Sequence, residues 1–205
     1  RTGPSCSRPR SVGCPELRTR RLLDELRAEH DRIDRVVGAL RTFARARRGG
    51  EGDPRDAARF LRFFRLYADA FHHAREEGVL FPALVLDLEL PESRGPVAVL
   101  SEDHRRIRAQ LAHIAPLLGG ELDPAAASRL DALVVGYSHA LWHHIDAENS
   151  VLLPESARRF ASASVHELPT PEPTEEEALA GQDGAALVRR YVPTTDDDLD
   201  RGAGC

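Results

Sequence analysis

The sequence contains no lysine and no methionine, and it has only three cysteines and 5% aromatic residues. Three cysteines do not make the framework of a disulfide-rich secreted domain. Few aromatic residues disfavour a sheet-rich fold, because aromatic side chains are enriched in strands. There is no run of 18 apolar residues that would span a membrane, and no apolar segment near the start typical of a signal peptide. We therefore expect a cytoplasmic protein without a membrane partner, whose translated start lies upstream of Arg1.

Charge is distributed unevenly along the chain, which has a net charge of -5 and 28 basic residues, all of them arginine. Residues 1–21 carry six arginines and one glutamate, whereas residues 163–205 carry ten acidic residues and three arginines. The region between them is nearly balanced, which is not typical of a nucleic-acid-binding surface. We expect no nucleic-acid partner, and we expect residues 1–14 to be disordered.

Residues 15–162 are predicted to form four long helices, because apolar residues recur there at alternating steps of three and four. Proline and glycine mark the boundaries: Pro15 to Gly49, Pro54 to about Leu88 with Asp53 as its cap, a third helix after Pro96, and Pro124 to about Pro154 with Asp123 as its cap. The positions expected to face the core include Val151 in the fourth helix and, in the third, Val97, Leu100, His104, Ile107, Leu111, Ile114 and Leu118. Short connections make sequential helices antiparallel neighbours. The predicted fold is therefore all-α, an up-down-up-down four-helix bundle.

Residues 163–205 are predicted to be an acidic, proline-rich linker and flexible tail. Residues 167–177 are rich in Glu, Pro and Thr, a composition that does not build a core. Residues 175–191 could form one short helix, which Gly181 and Gly184 would weaken. This tail is either a solvated linker or a segment that binds a protein partner.

The middle of the chain is an imperfect tandem repeat. Residues 29–33 are similar to residues 103–107, and residues 76–82 are similar to residues 148–154. Each half therefore has one helix that carries a histidine and one helix that carries the pattern His-x-x-x-Glu.

Polar residues occupy core-facing positions of all four predicted helices: His30, His72, Glu76, His104, His144 and Glu148. A buried carboxylate without a partner costs roughly several kcal/mol, so these residues need a common explanation. Residues four apart share one helix face, which lets a histidine and a glutamate reach one metal ion. Six ligands are too many for one tetrahedral zinc. The set favours two iron ions per chain, with bridging carboxylates and an oxo or hydroxo bridge.

The second helix contains two candidate pairs, because His72–Glu76 and His73–Glu77 have the same spacing. His72 and Glu76 lie on the more apolar face, and the repeat aligns them with the pair in the fourth helix. We therefore expect His73 to lie outside the ligand set, and Glu77 to be at most a hydrogen-bond partner of a ligand.

This ligand pattern resembles the hemerythrin-like (HHE cation-binding) family, and the resemblance covers about residues 16–160. The segments around His72 and His144 are similar to the most characteristic stretches of that family. The resemblance implies a bundle that encloses a non-haem di-iron centre. It also implies that the four histidines are terminal ligands and that Glu76 and Glu148 bridge the irons.

One departure from the family concerns function. Classical oxygen-carrying hemerythrins have a second histidine one turn after the third-helix ligand, where this chain has Arg108, and their last carboxylate is an aspartate one residue further along. The resemblance therefore implies the hemerythrin-like proteins linked to iron-centre repair, nitric oxide, peroxide, or iron and oxygen sensing.

Two functions remain open at this point. The first is a di-iron protein that binds or reacts with oxygen, nitric oxide or hydrogen peroxide, with or without turnover. The alternative is a metal-binding regulatory module that senses iron or oxygen without turnover. In that case the occupancy or oxidation state of the metal centre would be communicated through the tail. The histidines at 113, 139 and 143 are expected at the surface, and Tyr137 is expected to pack in the core.

Overall fold

The computed structural model of the chain describes residues 16–165 and 167–195. The segments predicted to be disordered at the start, and the acidic end from residue 196, lie outside the described residues. Within the described part, every regular element is a helix. The helix α1 spans Glu16–Arg48, and α2 consists of the successive segments Pro54–Arg62, Phe63–His73, Glu76–Leu80 and Phe81–Leu86. The helix α3 spans Pro96–Leu118, and α4 consists of the successive segments Pro124–Ala147, Glu148–Leu152 and Leu153–Ser162. The helix α5 spans Glu175–Arg190.

The helix starts follow from local chemistry. Asp53 caps α2 by accepting from the backbone N–H of Arg55, and Asp123 caps α4 by accepting from that of Ala126. A proline follows each cap, where its missing N–H leaves no hydrogen bond unmade. Gly95, with φ 81°, precedes α3 in a conformation that side chains rarely adopt.

The helices pack into a bundle, with α4 against both α1 and α3 and with α5 against α1 and α2. Among the helices described, none combines the length and hydropathy that crossing a bilayer requires.

In the described part of the chain, the buried apolar side chains form two separate clusters. Along α1, Leu26 belongs to one cluster and Ile33 to the other, with His30 between them. Along α3, Leu100 and Ile107 flank His104 in the same way. The core-facing polar residues therefore form a layer between two apolar clusters, which we call the polar layer.

The helices α2 and α4 contain π-helical segments, in which the backbone hydrogen bond spans five residues instead of four. Two of these turns begin at a polar-layer glutamate, and the N–H groups of Phe81 and Leu153 donate to the carbonyls of Glu76 and Glu148. The extra residue rotates the side chains that follow. Val151 was predicted to face the core but is 64% exposed, and Leu152 is buried in its place.

Residues 167–195 pack against the bundle, so the flexible tail expected from composition is not confirmed over this range. The helix α5 starts at a capping box between Thr174 and Glu177. Its buried residues include Ala180, Gly184 and Leu187. A Cβ atom built at Gly184 would lie 2.5 Å from the ring of Phe63. The glycines, which lower helix propensity, therefore allow α5 to approach α2 closely.

Candidate metal centre

The polar layer holds seven titratable side chains that are almost completely buried. They are His30 from α1, His72, His73 and Glu76 from α2, His104 from α3, and His144 and Glu148 from α4. All six residues predicted from the sequence are therefore brought together. His73, which the sequence argument set aside, lies among them.

Glu76 lies between two groups of histidines. Its Oε1 is 3.5 Å from Nε2 of His30 and 3.6 Å from Nε2 of His72. Its Oε2 is 3.3 Å from Nε2 of His104. The two oxygens of this one carboxylate therefore face different histidines, which is the arrangement that a bridging ligand requires.

Glu148 also contacts histidines from different helices. Its Oε2 lies 3.1 Å from Nε2 of His30 and 3.3 Å from Nε2 of His144. On the other side of the layer, the Nε2 atoms of His104 and His144 are 3.0 Å apart. Among the residues that the structure describes, two groups have metal-ligand spacing: one consists of His30, His72, Glu76 and Glu148, and the other of His73, Glu76, His104 and His144.

Three of the histidines are oriented by a hydrogen bond at Nδ1. The partner oxygen is Asn149 Oδ1 for His30 at 2.9 Å, Glu29 Oε2 for His72 at 2.9 Å and Glu77 Oε1 for His104 at 2.7 Å. Such bonds fix the ring and leave Nε2 as the ligand atom, as is usual for metal-binding histidines.

Sequence reasoning missed two of these partners, Glu29 and Asn149, together with Arg75. Arg75 is 3% exposed and donates to Glu29 and to Glu25, the latter at 2.6 Å. Both missed partners directly adjoin a predicted ligand in the sequence, yet each one contacts a histidine on a different helix. Their position next to a predicted ligand in the sequence could have identified them as candidates. The histidine that each one contacts, however, depends on how the helices pack.

The electrostatics of the layer favour a bound cation. Burial and the neighbouring carboxylate of Glu76 raise the pKa of Glu148 to about 7. Burial acts against ionisation of Glu76 as well, but the adjacent His72, His104 and His30 hold its pKa well below the ordinary value. Two buried carboxylates this close do not both ionise easily unless positive charge balances them.

The residues present fit a transition-metal centre. Both oxygens of Glu76, both oxygens of Glu148 and Nε2 of His30 are buried, and within the described part of the chain they have no hydrogen-bond partner. Unpartnered buried polar atoms are costly. Imidazole nitrogens and carboxylate oxygens together suit iron and similar ions, which would satisfy these atoms.

His113, His139 and His143 lie outside the polar layer. His113 and His143 are exposed and His139 is half-buried. Tyr137 is fully buried and its ring contacts that of Phe64 edge to face, with centroids 5.3 Å apart. Burial raises the pKa of Tyr137, so its hydroxyl stays protonated in the core.

Comparison with known proteins gives one match. The family model described as the hemerythrin HHE cation binding domain matches residues 21–156. No curated protein and no solved structure matches the chain. The matched range contains all seven buried residues of the polar layer.

Proposed function

Because the chain belongs to the hemerythrin HHE cation-binding family, we propose that its polar layer binds two iron ions and that this centre binds or reacts with oxygen, nitric oxide or hydrogen peroxide. The observation that carries the proposal is the position of Glu76, whose two oxygens face histidines of different groups. Four histidines (His30, His72, His104 and His144) would be terminal ligands. Glu76 and Glu148 would bridge, with an oxo or hydroxo group completing the pair.

The surroundings of the layer support a small ligand. Its seven side chains are at most 2% exposed, and an apolar cluster lies on each side. Such a site excludes bulk water and large substrates, whereas a diatomic molecule or peroxide is small and uncharged. Two ferrous ions bound there would supply electrons to such a ligand.

The connections between the helices favour an up-down-up-down bundle. Short connections join α1 to α2 and α3 to α4, and α4 packs on both α1 and α3. We take α1–α4 as an up-down-up-down bundle, with one half of the tandem repeat in each helix pair.

The test of the centre is iron per chain in anaerobically purified protein, measured by elemental analysis. We expect about two iron ions per chain, as in the di-carboxylate centres of helical bundles. The variants His72→Ala and Glu148→Ala should lose most of this iron, while the exposed control His143→Ala should retain it. About one zinc per chain that persists after reconstitution with iron would contradict the proposal.

Reactivity is tested separately on the diferrous protein. Oxygen, nitric oxide and hydrogen peroxide are each added anaerobically in known amounts, and the visible spectrum and the remaining ligand are followed. Consumption beyond one equivalent per centre would establish an enzyme. A stable adduct without consumption would establish a binding protein, and no response to all three would refute the proposed chemistry.

A sensing function is the second candidate, supported by the position of α5. This helix packs against the Phe63–His73 segment of α2, which ends at the two adjacent histidines of the polar layer. Metal state could therefore change the docking of α5. Trypsin cleavage after Arg189 and Arg190, compared in the iron-loaded and metal-free protein, tests this. Equal cleavage rates would exclude a sensor that works through α5.

A further inference from the structure

We propose that His73 is a fifth histidine ligand, which makes the two metal positions unequal. This inference rests on the proposed di-iron centre and extends its ligand set. His73 is 2% exposed, and its ring stacks on that of His104 with centroids 3.9 Å apart. It also lies edge to face with His144 at 5.8 Å. One of its nitrogens has metal-ligand spacing to Glu76, His104 and His144.

His72 and His73 are adjacent in the chain but face different groups of the polar layer. The ring of His72 lies 4.7 Å from that of His30, on the α1 side. The ring of His73 lies against that of His104, on the α3 side. Consecutive residues of a helix point in different directions, so one helix supplies a ligand to each metal position.

A carboxylate lies behind His73, as behind two of the proposed ligands. Nδ1 of His73 lies 3.4 Å from Oδ1 of Asp69, as Nδ1 of His72 faces Glu29 and Nδ1 of His104 faces Glu77. A carboxylate behind Nδ1 is the arrangement found at metal-binding histidines, because it orients Nε2 toward the ion.

Arg108 positions the carboxylates behind both His73 and His104. Its Nε donates to Asp69 at 2.6 Å, and one of its terminal nitrogens donates to Glu77 at 2.9 Å. A single guanidinium therefore fixes two carboxylates, each of which faces the Nδ1 atom of a buried histidine. Arg108 therefore supports both His73 and His104 through the carboxylates behind them.

A purely structural role explains His73 poorly. Its ring is 2% exposed, and burying an imidazole away from water costs free energy. An apolar side chain would fill this position without that cost. As a ligand, in contrast, His73 gives the α3–α4 position three imidazoles and leaves the α1 position with two. The position of His30 and His72 then has more room for an external ligand.

The experiment counts histidine ligands in protein loaded with Co(II) alone, a paramagnetic probe. Each histidine bound through Nε2 gives one strongly shifted, solvent-exchangeable Nδ1–H resonance in the proton NMR spectrum. We expect five such resonances in the native chain, four in His73→Ala, and five in the exposed control His143→Ala. We also expect the affinity for one of the two ions to fall at least about tenfold in His73→Ala. Loss of a residue that only supports a ligand typically lowers metal affinity by about 10–100-fold, and loss of a ligand itself should cost no less.

The variant His73→Gln keeps the side-chain volume, so a folding defect in His73→Ala does not hide the result. Thermal unfolding of the metal-free variants, followed by circular dichroism, verifies that both are folded. Four resonances in the native chain, with unchanged affinity in both His73 variants, would overturn the fifth ligand and leave the di-iron proposal standing. Failure of the native chain to bind two ions would overturn both proposals.

Discussion

Nδ1 of His72 donates a hydrogen bond to Oε2 of Glu29 at 2.9 Å, which links α2 to α1 directly behind the polar layer. The same Glu29 carboxylate accepts from Arg75, whose guanidinium stacks over the ring of Phe71 at 4.9 Å. The orientation of a proposed ligand thus depends on a buried ion pair that contacts no metal position itself.

Glu29→Ala is therefore expected to weaken metal binding without removing a ligand. Loss of such an outer partner typically lowers metal affinity about 10–100-fold. Competition with a chromophoric chelator measures this change. The matched control is Glu25→Ala, because Glu25 contacts Arg75 but not His72. Equal affinities in both variants would show that Glu29 does not support the centre.

Removal of metal should destabilise the fold, because it leaves Glu76 and Glu148 buried without partners. A metal present at 100 times its dissociation constant adds about 2.7 kcal/mol to the free energy of unfolding. For a chain of this size we expect the melting temperature to rise by roughly 5–11 °C on loading. Differential scanning calorimetry measures it, with Glu148→Ala as the control that should respond weakly. A native melting temperature insensitive to iron would argue against a shared core site.

Gly184→Ala should weaken the docking of α5, because the new Cβ would lie 2.5 Å from the buried ring of Phe63. Alanine favours the helix by about 1 kcal/mol, but overpacking costs about 1–3 kcal/mol, so we expect a net loss. The control is Gly136→Ala in α4, an exposed glycine whose new Cβ would meet no atom within 4 Å apart from its chain neighbours and its own helix backbone. It should stabilise by about 0.5–1 kcal/mol. Urea denaturation compares the two, and a stabilising Gly184→Ala would mean that α5 does not pack as described.

Glu25 should make stability depend on pH in the acid range. Burial raises its pKa, but hydrogen bonds from Arg21 and Arg75 outweigh burial and bring the pKa below the ordinary value of 4.5. A lowered pKa stabilises the folded state above the unfolded pKa, and this gain is lost as the pH falls through the folded value. Glu25 is partly exposed, so we expect at most about 1 kcal/mol at pH 7.

The measurement is the free energy of unfolding of the native chain minus that of Glu25→Gln. This difference should be positive at pH 7 and should decrease as the pH is lowered through 4.5, the ordinary pKa of the carboxyl, and below it. A difference that stays constant across this range would show that the ionised carboxylate contributes nothing.

Local patterns predicted much of the bundle. The seven residues expected to face the core along α3, from Val97 to Leu118, are the seven that are buried there. The helix caps at Asp53 and Asp123 were also predictable from the sequence, because in each case a capping residue directly precedes a proline. These features depend on neighbours within a turn or two, which is the range over which a sequence pattern carries information.

Features that depend on π-helical turns or on contacts between helices were not predictable in this way. A π turn shifts the periodicity by one residue, so the sequence pattern placed Val151 in the core where the structure places Leu152. The sequence argument also placed His73 on the less apolar face of its helix, whereas the structure buries it as completely as His72. The docking of α5 depends on the match between Gly184 and a ring 121 residues earlier, which no local pattern shows.

The division of the core has a consequence for cooperativity. The two apolar clusters are separated by a layer of charged and polar groups, so in the metal-free chain each cluster stabilises its own end of the bundle. An ion bound by residues from four helices would couple the two ends, and the bundle would then unfold as one unit. Metal content would set the number of unfolding transitions as well as their temperature, and backbone amides near His30 and His104 would exchange with solvent most readily in the metal-free form.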